Sequence, residues 1–235
     1  MTAQEILAQL EAFGDPNTKK TLMTHGAREP FFGVKVSDLK KILSKTKKNH
    51  ELSLELYKTG NSDAMYLAGL MADEKKITKE QLEEWVEQAY WSYLSEYAVP
   101  WVAAESKHGF ELGQKWIKSD KETIAAAGWG TLSYYASVRE DKDLDIPAYS
   151  KLLDLVEKEI HQAPNRVKYA MNGFIIAIGT AIEALSEKAK ETAHKVGKVH
   201  VEMGGTACKV PLAIDYIQKV IDKGNLGKKR KTARC

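Results

Sequence analysis

The chain has 235 residues, 43% of them hydrophobic and 29% charged; this is enough apolar material for one sizeable core, and it excludes intrinsic disorder. Its two cysteines, Cys208 and Cys235, exclude a disulfide scaffold, and the sequence has no secretory signal pattern and no run of about 18 apolar residues, so a cytoplasmic location without membrane contact is expected. The net charge of +3 divides into +4 over residues 1–50, −7 over 51–222 and +6 over 223–235, a layout suited to gripping a polyanion at defined places.

Strand signals are nearly absent, whereas helical periodicity recurs along the whole chain. Gln4 to Phe13 sets Ile6, Leu7, Leu10 and Phe13 on one stripe, and Ser37 is placed to cap a helix carrying Leu39, Ile42 and Leu43. Asp63 to Met71 is apolar at Met65, Leu67, Leu70 and Met71. Thr78-Lys-Glu-Gln81 is a capping box, in which hydroxyl and amide satisfy orphan backbone donors, and it opens a helix bearing Leu82, Trp85, Val86 and Ala89. Further helices are predicted over about 91–106, 109–119, 121–138, 146–160, 165–182, 186–197 and 209–223, with breaks such as Asp145-Ile-Pro147 and Ala163-Pro164-Asn165 between them. Two stretches, 121–138 and 169–182, are apolar nearly all round and rich in small residues, which predicts central, closely packed helices. Residues 199–211, with Gly204-Gly205 and a Val-His-Val alternation, predict an extended loop or short strand.

Helices of 10 to 18 residues joined by short breaks are antiparallel neighbours as a rule, and two per unit at about 35 to 45 residues is the period of HEAT-like repeats. The expected fold is therefore all-α: an α–α superhelix, or solenoid, of about six HEAT-like antiparallel helix pairs over residues 1–222, followed by a basic, flexible tail over 223–235. An irregular helical bundle is the competing arrangement.

Familiar catalytic signatures are missing: no phosphate-binding glycine loop, no Gly-x-Ser-x-Gly, no His-Glu-x-x-His and no Cys-x-x-Cys. His194, His200 and Cys208 lack an acidic partner at ligand spacing, so neither a metal nor any other cofactor is expected. The stretch from Ala89 to Glu105 stands out, because Trp91, Leu94, Ala98 and Trp101 share one helical face and Ser95 and Glu96 follow Trp91 by about a turn. Trp101 reads as core; Trp91 with Glu96 reads as an aromatic wall beside a carboxylate.

Four stretches, Phe32-Gly-Val-Lys-Val-Ser-Asp-Leu-Lys-Lys-Ile42, Asp63-Ala-Met-Tyr-Leu-Ala-Gly-Leu-Met71, the Trp91 segment and Asn165-Arg-Val-Lys-Tyr-Ala-Met-Asn172, resemble in order and spacing the DNA alkylation repair family over roughly residues 25–185. The stretch from Met203 to Pro211 resembles a distinct subgroup of it. The resemblance implies metal-free N-glycosylases that cradle duplex DNA, damaged or not, on a concave basic surface and excise cationic alkylpurines. A carboxylate stabilises the oxocarbenium-like sugar and indole faces attract the cationic base.

Carried over residue by residue, the first active-site tryptophan matches Trp91, and the catalytic acid falls on Ser95 or on Glu96 according to whether one counts from Trp91 or back from Pro100. The phosphate-binding arginine falls near Ala125, which carries no charge, and the second tryptophan falls near Gly173 or Phe174; Trp129 is a candidate replacement wall. Tyr169 and Asn172 join the expected base pocket, although an Asn on so apolar a helix also fits a buried structural amide. Expected phosphate contacts are Arg28, Lys35, Arg166, Lys168 and Lys209, with Lys228, Lys229, Arg230 and Lys231 of the tail. The expected function is alkylation repair by a DNA-binding monomer acting as a metal-free N-glycosylase. The alternatives are a non-catalytic relative that binds unusual or branched DNA by shape and charge, and a protein-binding scaffold. An exposed carboxylate–tryptophan pair favours the enzyme; a basic face without that pair favours the non-catalytic relative.

Overall fold

The computed structural model describes residues 1–235 and contains helices and loops without strands. Thirteen α-helices follow one another: α1 (Ala3–Phe13), α2 (Pro16–Thr24), α3 (Val36–Thr46), α4 (His50–Lys58), α5 (Ser62–Met71), α6 (Lys79–Gln88), α7 (Val99–Glu105), α8 (Gly109–Trp116), α9 (Glu122–Val138), α10 (Ile146–Glu159), α11 (Asn165–Ala181), α12 (Ser186–Val196) and α13 (Ala213–Asp222). Local chemistry sets many of the starts. Thr2 with Glu5 and Thr78 with Gln81 form capping boxes for α1 and α6, and the Asn61 side chain accepts from the Asp63 and Ala64 amides to open α5.

Packing sorts the helices into two layers. From α5 onward the odd-numbered helices α5, α7, α9, α11 and α13 pack on one another in succession, and each is backed by the preceding even-numbered helix. That is the HEAT-like superhelix expected from the sequence, with α9 and α11 at its centre. Both are buried along most of their length, and α9 supplies Ile124 and Ala127 to the N-terminal core and Ala125, Trp129 and Leu132 to the C-terminal core. Glycine lets the layers close: a Cβ on Gly69 of α5 would lie 2.9 Å from the Ala98 backbone, and one on Gly128 of α9 would lie 2.5 Å from the Ile117 nitrogen. On the outer layer, ion pairs join successive helices, Lys79 to Glu111, Lys115 to Glu83, Lys188 to Asp154 and Lys195 to Glu157.

Several features depart from local periodicity. The predicted 91–106 helix begins as a π-helical turn at Leu94–Ala98 before continuing as α7. Residues 198–212 form a loop with no strand, pinned where Asn165 brackets Glu202 (2.9 and 2.7 Å) and where Asn172 donates to the Pro211 carbonyl at 3.0 Å. Its tip reaches α2, so that a Cβ on Gly204 would meet the Thr24 carbonyl oxygen at 2.5 Å.

The basic tail is docked, contrary to the flexible end that its composition predicts. It runs back across the C-terminal ends of the inner helices in reverse chain order. The Gly227 amide donates to Thr180 of α11, and Lys229 Nζ donates to the Ala181 and Ala136 carbonyls and lies 2.6 Å from Asp141. The Arg230 amide donates to Ser137 of α9, and the Ala233 amide and Thr232 hydroxyl donate to Glu105 of α7. Arg234 then donates to the Leu70 and Ala72 carbonyls at the end of α5 and pairs with Glu74 and Glu105. Carbonyls and dipoles at helix C-termini attract cations, and four such termini side by side make a track for a basic strand.

Candidate nucleic-acid interface

The inner layer presents an aromatic face. Tyr66 of α5 stacks on Tyr93 (4.7 Å), Tyr93 on Trp91 (5.1 Å), and Tyr97 of the π-turn contacts both Tyr93 (5.7 Å) and Trp101 (5.8 Å). The wider turn at Leu94–Ala98 places Glu96 and Tyr97 opposite α9 and α11, where they line a cleft of about 270 Å³. Tyr134 and Tyr169 face this cleft, Gly130 and Gly173 keep its floor low, and Arg230 of the tail stands at its edge. Burial pushes the tyrosine hydroxyls up, that of Tyr134 to about 12 and that of Tyr97 further, so these rings are neutral stacking surfaces.

Glu96 is 5% exposed, and both its oxygens are taken by one partner. Arg166 of α11 donates from Nε to Oε1 and from Nη2 to Oε2, each at 2.6 Å. Burial pushes the Glu96 carboxyl upward while the guanidinium pulls it back. Arg166 also covers the Tyr169 ring at 4.5 Å, and its backbone N–H donates to Glu122 at 2.6 Å, so α9 supplies the N-terminal cap that α11 lacks within itself. The pair thus joins the π-turn, α9 and α11, and it is electrically self-compensated.

Arg166, expected to contact phosphate, is therefore engaged within the fold. Trp91 does not line the Glu96 cleft: its Nε1 donates to Ser62 at 2.7 Å, and the ring lines an adjoining cleft of about 520 Å³, which shares Tyr97 and Tyr169 with the first and extends to α2 and the 202–208 tip. Ser95 is buried. Trp129 and Phe174 meet edge-to-face at 5.0 Å inside the C-terminal core, 1% and 0% exposed, and neither lines the Glu96 cleft. Asn172, also buried, anchors the loop at Pro211. Of the expected base pocket, only Tyr169 reaches the cleft. Tyr93, Tyr97 and Tyr134, absent from that expectation, line the face; the tyrosine-rich run of residues 90–97 was the signal for the first two.

The remaining expected cations divide similarly. Lys229 lies inside the docked tail. Lys35 is 3.7 Å from Asp15, and Lys228 donates to Asn225. Arg28, whose guanidinium donates to the Tyr90 carbonyl, and Lys168 and Lys209 have no carboxylate partner; none of them lines the 520 Å³ cleft, although each is close in the chain to a residue that does. Arg230, at 6.0 Å from the Tyr134 ring, brings a fourth cation to the same face. Four outer-layer lysines, Lys79, Lys115, Lys188 and Lys195, are by contrast neutralised by pairs between helices. The inner face therefore combines uncompensated cations with aromatic surfaces, the combination that binds nucleic-acid backbone and bases.

Comparison with known proteins bears on this arrangement. Residues 6–205 match the family model described as DNA alkylation repair enzyme. An uncharacterized protein of Listeria innocua serovar 6a is 36% identical over 231 residues, covering 96% of this chain and 100% of its own, and one of Listeria monocytogenes serovar 1/2a is 37% identical over 225 residues, covering 93% and 97%. A solved structure, described as a new family of proteins related to the HEAT-like repeat DNA glycosylases with affinity for branched DNA structures, superposes with a TM-score of 0.91 at 39% identity over 100% of both chains.

Proposed function

The chain belongs to the DNA alkylation repair family, and we propose that within it this protein is a non-catalytic binder of branched DNA that recognises shape and charge and leaves the glycosidic bond intact. The observation that carries this reading is the closure of Glu96 on Arg166. Expelling a cationic base requires a carboxylate whose negative charge is free to act on the developing oxocarbenium. Here the guanidinium sits 2.6 Å from both oxygens, and the field of the pair at the sugar is that of a small dipole. Trp91, tied to Ser62, and Glu96 are each only 5% exposed, so an exposed carboxylate–tryptophan pair is lacking while the cations are present.

Branched DNA is the favoured ligand because the protein that shares the whole fold at 39% identity comes from a family with that affinity. Junctions expose unstacked bases and flexible steps, which suit neutral tyrosine faces and a scattered set of cations. Acting as a monomer, the protein would hold the backbone with Arg28, Lys168, Lys209 and Arg230.

Two measurements test this. Free-base release from methylated duplex DNA is expected to stay at the protein-free background. Fluorescence anisotropy is expected to rank a four-way junction above a linear duplex of the same arm sequence, with log affinity falling by about 3 to 4 per log unit of salt for four phosphate contacts. Base release abolished by Glu96→Gln would reinstate the glycosylase, and salt-insensitive binding would remove DNA as the ligand.

A further inference from the structure

A third cleft, of about 870 Å³, lies on the other side of the tail from the aromatic face, against the C-terminal ends of α5, α7 and α9. Helix C-termini and the nearby Glu74, Glu105 and Asp143 would by themselves make this rim repel phosphate. The cations of the body and of the tail together reverse its character. Arg234 pairs with Glu74 and Glu105, Lys48 also pairs with Glu74, and Arg139 lays its guanidinium on the Glu105 and Ser106 carbonyls at 2.8 and 3.0 Å. With those charges satisfied, Lys75, Lys107 and Lys231 remain exposed, line the same cleft and enter no ion pair; against them stands one unpaired carboxylate, Asp143.

Consecutive tail residues serve opposite sides. Arg230 lines the aromatic cleft, whereas Lys231 lines the rim cleft. The tail is thus a ridge with a cation-bearing groove on each flank. A straight duplex, stiff over about 150 base pairs, follows one groove and cannot fold over the ridge into the other. Two helical arms that diverge from a branch point can occupy both.

We propose that the rim cleft is a second backbone-binding site, which takes one arm of a branched DNA while the aromatic face holds another, the docked tail being the ridge at which the arms part. This rests on the branched-DNA reading given above and assigns that ligand's second arm to Lys75, Lys107 and Lys231.

The test is the double variant Lys75→Ala, Lys107→Ala, which removes two exposed ammonium groups that enter no hydrogen bond or ion pair within the fold. Anisotropy titrations of a four-way junction and of a linear duplex are made for wild type and variant across a salt series, with thermal melting to establish that both are equally folded. Expected are a junction affinity lower by roughly fivefold or more, a junction salt dependence shallower by about 2, and a linear-duplex affinity within about twofold of wild type. Equal weakening on both DNAs overturns the proposal, since the lysines then act as general charge, and so does no change on either. A wild type without junction preference removes the branched-DNA reading itself, and this failure is distinct because it precedes any substitution.

Discussion

At the scale of single residues, the contact between Glu96 and Arg166 decides between chemistry and architecture. Its two members are unequally exposed, 5% for the Glu side chain and 24% for the Arg. Removing Arg166 leaves a buried carboxylate without a counter-ion, whereas removing the Glu charge leaves a cation that can turn toward water. Arg166→Ala is therefore expected to cost about 3 to 5 kcal/mol in chemical denaturation, and Glu96→Gln distinctly less. The Arg166→Ala penalty also carries a pH signature. With the guanidinium gone, burial alone holds the Glu96 carboxyl above its unfolded value, so the folded state favours the protonated form. The penalty is full above the folded value and fades as pH falls through it toward the unfolded carboxylate range. A penalty independent of pH would mean that Glu96 is not the group left stranded.

Asp63 is a second residue with disproportionate weight. Its carboxylate accepts the amides of Phe32, Gly33 and Val34 at 2.6, 3.0 and 3.1 Å, tying the loop before α3 to the start of α5. Two of the stretches that carry the family resemblance are thus partners in one contact. Asp63→Ala leaves three N–H groups without their acceptor; a loss of about 3 kcal/mol or more is expected, with faster hydrogen exchange at those amides. Neither contact was legible in the sequence. Glu96 stood out because it follows Trp91 by a turn, but its partner lies 70 positions away, and periodicity carries no information about long-range ion pairs. Trp129 and Phe174 misled for a related reason: on helices apolar all round, nothing local distinguishes the cleft side from the core side.

At the scale of elements, several helix starts were legible from a cap or break, but Ser37, expected as a cap, lies inside α3, and α2 and α4, opened by Asp15 and Asn49, were not foreseen. The Thr78 box, the Asp145-Ile-Pro147 start of α10 and the Pro164 start of α11 fall where the residues place them. The π-turn was not legible, since one extra residue per turn leaves the spacing of Trp91, Leu94 and Trp101 compatible with an ordinary helix. The tail was misread because a basic run with no acids looks solvated, while its partners are carbonyls and carboxylates scattered over four helices. Deletion of residues 228–235 bares those termini. Hydrogen exchange is then expected to accelerate in the last turns of α5, α7, α9 and α11, with the outer helices α6, α8, α10 and α12 little changed. Unaltered exchange at those turns would show that the tail rests on the surface without stabilising it.

At the scale of the whole molecule, charge is compensated unevenly. Lys79, Lys115, Lys188 and Lys195 of the outer layer are matched to carboxylates on neighbouring helices, whereas Lys75, Lys107 and Lys231 on the rim are not. The modest net charge of +3 therefore understates what a polyanion would meet on one side. The superhelix itself followed from the sequence, because repeated helical pairs with small-residue, all-apolar inner members have few other ways to bury their surface. What two layers cannot specify is how residues far apart in the chain close upon one another.

That closure has a consequence for biosynthesis. A chain that emerges N-terminus first can pair its early helices as soon as they appear, since each needs only its neighbours. The end of α5 is different, for Arg234 reaches Glu74 across 160 positions. Until residues 228–235 have emerged, the nascent repeats carry a row of bare carbonyls, and Glu105 lacks its partners in the tail. The tail can dock in full only on inner helices that have already formed, and the rim cleft has its complete set of cations only once it has done so.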